Sequence, residues 1–480
     1  MTFQLQRQLK KKNKDLILGR TGPSRIYPKF KISAQVRKFH TYVVGLTGRG
    51  KSKFLQSCIT QDILHGRGCA VIDPHGDLAK DVLRTLIDQH FFDDPDNLKR
   101  IVYVAPRRRD YIIPFNVLKR PDKHTETYEI AQRVIHAFMR TWSRTLQEPP
   151  RFQQVMRASL SALIETEKTI CDLYPLLTDD AFREDTLEQI PDPKVKQDCL
   201  AFFEHEFTEW GKNRSLMIGS TTNKVSALTD NPNTFYMLGQ KENHLNIREM
   251  MDAGEVLIAD LGDCDDETKR LFGTLIVTGF EHAALSRSKM PHKDRKPYYL
   301  YIDEFQDFAC NPGAAETFSQ MLSQVRKFGL HLILANQSIA QLSSGLQTAL
   351  GNAQTIVTFR ISRADAEVIS RMLGKVDPRQ VKHENQTDIQ HPVYAPLHEQ
   401  WESFIQHLTN QQVRQFTVKA ADDRLASVWS LKMKDPKSSL VELERIITRL
   451  LQSDGEDYQT LQKELLIEDQ KLASQPYYAY

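Results

Sequence analysis

The chain has 480 residues and a mass of 55.4 kDa, with 40% hydrophobic residues, 26% charged residues and a mean hydropathy of −0.47. A chain of this length can bury a large core in two or three domains without disulfide or metal staples. No segment reaches the roughly 18 consecutive apolar residues of a membrane-spanning helix, since the longest, at 271–280, is far shorter. The six cysteines form no CxxC pair, and the start of the chain has no apolar signal segment. These features predict a reduced, cytoplasmic protein with neither a disulfide framework nor a zinc site.

The positive charge is concentrated at the start of the chain. Residues 1–40 contain eleven Lys and Arg against one acid, Asp15, and so carry +10. Because the whole chain carries +3, the remaining residues sum to −7. A basic arm of this kind favours nucleic acid or an anionic membrane surface as a partner. A solvated arm without a partner is the alternative that the charge leaves open.

Short apolar or β-branched runs alternate with helical patterns along most of the chain. The pattern predicts strands at 40–45, 68–73, 101–105, 255–260, 298–303, 330–336 and 353–360, and helices at 52–65, 78–89, 269–286 and 314–327. Strands that are apolar throughout and separated by helices are typical of a mostly parallel sheet covered on both faces. The predicted fold class is therefore α/β.

Helical periodicity replaces this alternation between about residues 119 and 241, which predicts an inserted all-α domain. The nucleotide-binding domain would then comprise residues 41–118 and 242–420, preceded by the basic arm at 1–40. Residues 421–480 are predicted to form a strand and helix extension with a flexible tail. Within this part of the chain, 413–418 and 427–433 favour a hairpin, and 440–451 favours an amphipathic helix.

The segment 45–52, GLTGRGKS, matches the pattern G-x-x-x-x-G-K-[ST] between a predicted strand and a predicted helix. Glycines allow such a loop to wrap around polyphosphate with its N–H groups turned inward, and the following helix directs its positive end at the same oxygens. Lys51 would contact the β and γ phosphates, and the Ser52 hydroxyl would bind Mg²⁺. The predicted nucleotide contacts are Gly45, Thr47, Gly48, Arg49, Gly50, Lys51 and Ser52. Arg49 is unusual inside such a loop and could instead face a neighbouring subunit or solvent.

A hydrolytic phosphate loop requires one carboxylate near Mg²⁺ and a second that activates water. The apolar run at 298–302 ends in Asp303 and Glu304, which we assign to the metal and to the general base. Another apolar strand ends before Gln337, which would sense the γ-phosphate or orient water at the same edge of the sheet. The alternative for Gln337 is an amide that caps the next helix.

Asp73 and His75 follow the predicted strand at 68–73. They could touch the nucleotide and metal shell or a subunit boundary at the carboxyl edge of the sheet. Equally, they could only fix the turn into the next helix.

Four motifs in order, GLTGRGKS, VIDPHGDL, YIDEFQDFA and VRKFGLHLILANQ, carry a family resemblance. The chain resembles the HerA/FtsK superfamily of ring-forming DNA-translocating ATPases, and is most similar to the TraG/TraD-type coupling ATPases of conjugation and type IV secretion. The resemblance implies a RecA-like core that binds ATP and Mg²⁺, a homo-hexamer, and an all-α domain at 120–240 that engages DNA or relaxase cargo. It also implies an arginine supplied by the neighbouring subunit, for which Arg326 and Arg360 are the candidates; an ordinary ion pair is the alternative for each.

The resemblance implies a motor that moves DNA, with contacts mostly to phosphate. Coupling proteins of this type usually begin with transmembrane helices, and none is present in this sequence. Three alternatives follow: a relative recruited to the inner membrane by a partner, a chain whose membrane portion lies outside this sequence, or a HerA-like ATPase of DNA repair or defence. A nucleotide-dependent recruitment or switch protein is the competing function from another class.

Overall fold

The computed structural model describes residues 15–121, 125–142, 149–309, 312–374 and 396–461. The first 14 residues of the predicted basic arm, Cys310 and the predicted flexible tail lie outside these ranges. The described residues form two compact units. The first draws on Met1–Val71, Pro297–Cys310 and Ala315–Pro436, and the second on Ile72–Lys296, Asn311–Ala314 and Lys437–Tyr480.

Thirteen strands occur among the described residues. They are β1 Leu16–Arg20, β2 Lys29–Ile32, β3 Thr41–Val44, β4 Gly68–Asp73, β5 Ile101–Val104, β6 Tyr111–Ile112, β7 Val256–Asp260, β8 Tyr298–Ile302, β9 Leu330–Asn336, β10 Thr355–Thr358, β11 Gln415–Lys419, β12 Leu425–Ser430 and β13 Glu456–Asp457. All seven strands predicted from the sequence are confirmed, each to within two residues at its ends.

Eighteen α-helices occur in the same ranges. They are α1 Lys51–Leu64, α2 Asp77–Asp88, α3 Pro95–Leu98, α4 Thr127–Trp142, α5 Pro149–Glu165, α6 Leu173–Thr178, α7 Asp180–Glu188, α8 Pro193–Leu200, α9 Phe207–Glu209, α10 Arg214–Thr229, α11 Pro232–Leu238, α12 Ile247–Ala253, α13 Asp266–Ser286, α14 Pro312–Gln324, α15 Ser344–Ala349, α16 Arg363–Leu373, α17 Leu397–Thr409 and α18 Leu440–Asp454. The four predicted helices are confirmed to within three residues at their ends. No helix in the described part of the chain is both long and apolar enough to cross a membrane.

The first unit contains strands in the order β2-β1-β12-β11-β10-β3-β9-β8, followed by the first part of β4, up to Val71. The centre is parallel, with β3 paired to both β10 and β9, and β9 paired to β8. Every residue of β8, β9 and β10 is buried, and so is β3 after Thr41, as expected for strands that are covered on both faces. The carboxyl ends of β3, β8 and β9 therefore meet at one edge of the sheet, which positions the loops that follow them.

Antiparallel strands extend the sheet beyond β10. The hairpin predicted in the C-terminal part of the chain is present as β11 and β12. The strands β1 and β2 pair with each other, and β1 pairs with β12. Leu16 and Ile32 are buried in this extension, so two segments of the predicted basic arm, Leu16–Arg20 and Lys29–Ile32, are part of the folded sheet. Nothing in the basic composition of this segment signalled the two strands.

The second unit contains the parallel pair β5 and β7, with most of the helices. Between residues 125 and 238 its described residues form helices and the turns that join them, as predicted for the insertion. The helix predicted at 440–451 is α18, which buries its apolar face against β5 and α2. The compact units divide the chain at other places than the predicted domain boundaries, and those boundaries stay a prediction.

Candidate nucleotide site

The loop between β3 and α1 occupies the position that the motif predicts. Its first residue, Gly45, donates its N–H to the Asn336 carbonyl at 3.3 Å, and Leu46 donates to the Arg360 carbonyl at 2.8 Å. A Cβ at Gly45 would lie 2.5 Å from the Phe359 Cβ. Only glycine allows the loop to approach β10 this closely.

Two further glycines give the loop its turn. Gly48 has φ 74° and Gly50 has φ 107°, both in the region that glycine adopts at least cost. A Cβ at Gly48 would meet no atom within 4 Å, so this part of the loop lines open space. Helix α1 begins immediately after Gly50, and its N-terminal N–H groups and dipole favour an anion at this point.

Lys51 is the first residue of α1 and is buried at the base of the loop. Its Nζ donates a hydrogen bond to the Gly45 carbonyl at 2.6 Å. Burial lowers the pKa of Lys51, and the nearby carboxylates of Glu304 and Asp303 offset part of that effect. The ammonium is thus held inside the ring of loop atoms. The next residue, Ser52, is exposed.

Asp303 and Glu304 follow β8, at the same edge of the sheet as the loop. Both are almost fully buried, with 6% and 8% exposure. The Glu304 N–H donates to the Asp303 Oδ1 at 3.0 Å. Glu304 also has φ 43°, a conformation that costs about 1–2 kcal/mol for an L-residue. The turn therefore aims the Glu304 side chain at the expense of backbone strain.

A chain of hydrogen bonds joins the phosphate loop to this carboxylate. The Thr47 hydroxyl donates to the Gln337 Oε1 at 2.9 Å, and the Gln337 Nε2 donates to the Glu304 Oε1 at 3.1 Å. The Gln306 Nε2 donates to the other Glu304 oxygen at 2.9 Å. The structure thus brings together the loop, the acidic pair and the amide. Sequence reasoning missed Gln306, although its place two residues after the acidic pair is a usable signal.

The two candidate arginines lie at opposite ends of the parallel strands. Arg360 follows β10, and its carbonyl accepts the hydrogen bond from the loop. Arg326 precedes β9, and its guanidinium lies 4.6 Å from the Phe39 ring centre. The seven residues of β9 separate Arg326 from the loop of its own chain, a distance of about 20 Å at 3.3 Å per residue, so a contact of Arg326 with nucleotide stays a prediction.

Arg414 is a contact of the phosphate loop that no sequence motif identified. Its N–H donates to the Arg49 carbonyl at 3.0 Å, and its Nη2 donates to the Ser430 carbonyl at 2.6 Å. Arg414 has φ 71° and lies 3.5 Å from the point where a Gly50 Cβ would be. The turn that leads into β11 therefore holds the loop from outside.

Asp73 and His75 belong to the second unit. The Asp73 carboxylate accepts hydrogen bonds from the N–H groups of His75 and Ala79, at 3.0 and 2.9 Å. Burial raises the pKa of Asp73, and these backbone hydrogen bonds offset part of the rise. The structure thus gives Asp73 the turn-fixing contacts that the sequence left as one alternative. The His75 side chain is exposed, and a nucleotide contact for either residue stays a prediction.

The donor set suits Mg²⁺ that is held jointly with a nucleotide. Ser52 and Asp303 offer hydroxyl and carboxylate oxygens, the ligand type that Mg²⁺ prefers, and such sites use only one or two protein ligands alongside phosphates. No cluster of three or more His, Cys, Asp or Glu able to hold a metal occurs within the described ranges.

Solved structures with a similar fold include the plasmid coupling protein TrwB and VirB4. The plasmid coupling protein TrwB in complex with ADP and Mg²⁺ matches with a TM-score of 0.58 and 18% identity, over 91% of this chain and 94% of that chain. The unbound monoclinic form of TrwBΔN70 matches with a TM-score of 0.57 and 16% identity, over 91% and 93%. VirB4 of Thermoanaerobacter pseudethanolicus matches with a TM-score of 0.52 and 14% identity, over 89% and 99%. At these identities the likeness shows the fold alone.

Comparison with curated proteins gave no match. The family model for the type IV secretion-system coupling protein DNA-binding domain, however, matches residues 25–393, more than half of the chain. The phosphate loop, the acidic pair and Gln337 all lie within this segment. The chain therefore belongs to the family of type IV secretion-system coupling protein DNA-binding domains.

Proposed function

We propose that this protein is a motor that hydrolyses ATP with Mg²⁺ and uses the energy to move DNA. One observation carries the hydrolytic part of the proposal, the hydrogen-bond chain from Thr47 through Gln337 to Glu304, and the DNA part rests on the family. The hydrogen-bond chain joins the group that would hold phosphate to the group that would activate water. A loop that only bound nucleotide would not need this connection.

The proposed roles follow from the geometry. Lys51 leaves the Gly45 carbonyl to neutralise the β and γ phosphates. Ser52 and Asp303 hold Mg²⁺, which when bound neutralises charge on the phosphates. Glu304 accepts a proton from the attacking water, and Gln337 exchanges its bond to Thr47 for one to the γ-phosphate or the water.

The site is incomplete without a further positive charge. Hydrolysis builds negative charge that a cation supplied by a neighbouring subunit can stabilise. Arg326 lies too far from the loop of its own chain, so we assign it to the site of the next subunit. Arg360 lies beside the loop of its own chain and would act there. This division requires a ring, and we propose a homo-hexamer.

The partner that the family indicates is DNA. We propose contacts mainly to phosphate, so that binding shows little sequence preference and weakens steeply with salt. We propose that the motor transfers DNA or nucleoprotein through a secretion machinery. Its partners would be a relaxase or a membrane protein, and the membrane partner would place it at the inner membrane.

The test is ATP hydrolysis by the purified chain with and without long duplex and single-stranded DNA, alongside its mass by light scattering. We expect an oligomer whose turnover rises with DNA. Lys51→Ala should abolish turnover and weaken nucleotide binding, whereas Glu304→Gln should abolish turnover and retain ATP. Lys53→Ala, two residues along the same helix, is the matched control and should hydrolyse ATP like the wild type.

Unchanged turnover in Glu304→Gln would show that the base is wrongly assigned. A monomer with slow turnover that ignores DNA but responds to a protein partner would instead identify a nucleotide-dependent switch. If the protein is a DNA-stimulated ring but its partners are repair or defence proteins, the proposed motor activity holds and the proposed use in secretion is wrong.

A further inference from the structure

A pocket in the second unit lies between helices α4 and α13, and no residue of the proposed nucleotide site lines it. Its volume is about 890 Å³ including the open mouth. Apolar and polar side chains contribute about equally to the walls, and the apolar part is formed by Phe115, Ile130, Val134, Leu245, Leu275 and Ala283. Apolar surface beside a few placed polar groups can hold and orient a small molecule.

One guanidinium in this pocket lacks a counter-charge among the described residues. Arg133, on α4, donates one hydrogen bond, from Nη2 to the Val117 carbonyl at 2.7 Å. A guanidinium has five N–H donors, and Arg133 is half-buried, so its other donors can bond to water or to a ligand. Of the described carboxylates, none lies within ion-pair distance of it. Burial lowers the pKa of Arg133 to about 10, which still leaves it charged at neutral pH.

The other basic side chains that line the pocket are either paired with a carboxylate or neutral. Arg248 pairs with Asp252 at 2.6 Å and Lys119 with Glu242 at 3.5 Å. His282 faces the same pocket, and its pKa falls to about 3 through burial and the positive charges nearby, so its ring is neutral. The positive charge available to a ligand is therefore that of Arg133.

We propose that this pocket binds an amphipathic carboxylate, with its hydrocarbon body against the apolar walls and its carboxylate paired to Arg133. The planar guanidinium presents two parallel N–H groups that match the two oxygens of a carboxylate. Glu129, exposed at the mouth one turn before Arg133, disfavours ligands with a second negative charge.

The test uses octanoate as the probe and octan-1-ol as its neutral counterpart, titrated calorimetrically into the full chain. We expect octanoate to bind the wild type at least tenfold more tightly than Arg133→Met, which replaces the guanidinium by an apolar side chain of similar length. Octan-1-ol should bind Arg133→Met no less tightly than the wild type. Arg133→Lys keeps the positive charge but not the two parallel N–H groups. Its affinity for octanoate should lie between those of the wild type and Arg133→Met.

Glu129→Gln supplies a control of opposite sign, since removal of the negative charge at the mouth should tighten octanoate binding. Circular dichroism and thermal melting check that each variant is folded; if Arg133→Met is not, Arg133→Lys and Glu129→Gln decide the question. Equal octanoate affinity in wild type and folded Arg133 variants would overturn the proposal. So would the absence of octanoate binding to the wild type, or octan-1-ol binding as strong as octanoate binding.

Discussion

At the scale of single residues, Gln337 is the group that touches both halves of the nucleotide site. Its amide oxygen accepts from Thr47 and its amide nitrogen donates to Glu304. We expect Gln337→Ala to lower ATP turnover about 100-fold, the size of effect seen when a positioned polar group is removed from a transition state. Nucleotide affinity should change little, because Lys51 and the loop remain. Steady-state hydrolysis and equilibrium nucleotide binding measure the two effects separately.

Gln306→Ala is the matched control for this experiment. Gln306 holds the other oxygen of the same carboxylate at 2.9 Å but makes no contact with the phosphate loop. Its removal should therefore slow turnover much less than the removal of Gln337. Equal losses in the two variants would mean that both amides only hold Glu304 in place, and that Gln337 has no role toward phosphate or water.

Substitutions of Arg414 can separate two contributions to the stability of the protein, that of the Arg414 backbone conformation and that of its side chain. Its φ of 71° is unfavourable for any residue with a Cβ. Arg414→Ala and Arg414→Gly both remove the hydrogen bond to the Ser430 carbonyl, but only glycine relieves the backbone. We expect the glycine variant to be more stable than the alanine variant by about 1 kcal/mol in urea unfolding. An alanine variant of equal or greater stability would contradict this account.

The predictability of the site differs from residue to residue. The sequence identifies the residues that lie at a fixed distance from the end of an apolar strand, since parallel strands bring those ends together. These residues are Gly45, Lys51, Asp303 and Gln337. Arg414 could not be identified in this way, since it follows α17 and reaches the loop only because β11 joins the sheet beside β10. A contact that depends on strand order leaves no local pattern in the sequence.

At the scale of secondary-structure elements, a buried ion pair ties the N-terminal segment to α1 and β8. Arg37 donates to both oxygens of Asp62, at 2.6 and 2.7 Å, and the Tyr301 hydroxyl donates to the same carboxylate at 2.6 Å. Both charged side chains are almost fully buried. Because Asp62 lies on the helix that follows the phosphate loop and Tyr301 precedes Asp303 by two residues, this cluster fixes both parts of the nucleotide site from behind.

Removal of the Asp62 charge should destabilise the protein strongly. Asp62→Asn leaves Arg37 buried without a counter-charge, a change that costs about 3–5 kcal/mol of unfolding free energy. Arg67, the more exposed second partner of Asp62 at 2.8 Å, supplies the control. Arg67→Gln leaves the Arg37–Asp62 pair intact and should therefore cost clearly less than Asp62→Asn. Urea unfolding of the two variants measures the difference, and similar losses would contradict the importance of the Arg37 pair.

The same carboxylate predicts how this stability depends on pH. Burial alone would raise the pKa of Asp62, but the charges and hydrogen bonds of Arg37, Arg67 and Tyr301 outweigh it, so the pKa lies below its usual value. A folded-state pKa below the unfolded one means that the stabilisation is complete above about pH 4 and is lost as the pH falls through the folded value. The difference in unfolding free energy between wild type and Asp62→Asn should therefore be constant from neutral pH to about pH 4 and narrow below it.

Periodicity predicted the central strands and the long helices, and it missed β1 and β2. The central strands are continuous apolar runs, because the sheet buries both of their faces. By contrast, β2 has the sequence KFKI, in which two lysines alternate with buried Phe30 and Ile32. Two repeats of a lysine followed by an apolar residue are too few to distinguish from chance in a basic segment. The edge strand β2, with one solvated face, is thus a part of this fold that the sequence signals only weakly.

At the scale of the whole molecule, charge and partner are linked. The family is defined by a DNA-binding domain, and the family model matches from residue 25 onward. The first 14 residues precede that match and hold five Lys and Arg with no acid. Without these five charges the chain would carry −2. If the segment meets DNA phosphates, it should contribute counterion release and therefore a measurable part of the salt dependence.

Replacement of Arg7, Lys10, Lys11, Lys12 and Lys14 by glutamine tests this contribution. The slope of log affinity against log salt should fall by up to about 4.5 for duplex DNA, at about 0.9 for each phosphate that the segment no longer neutralises. A control variant changes five exposed lysines elsewhere, Lys289, Lys293, Lys432, Lys434 and Lys437, and so has the same net charge. If the slope falls equally in both variants, total charge governs binding and the N-terminal segment does not bind DNA specifically. A decrease confined to the N-terminal variant places DNA against that segment, because screening of net charge alone does not distinguish one set of lysines from the other.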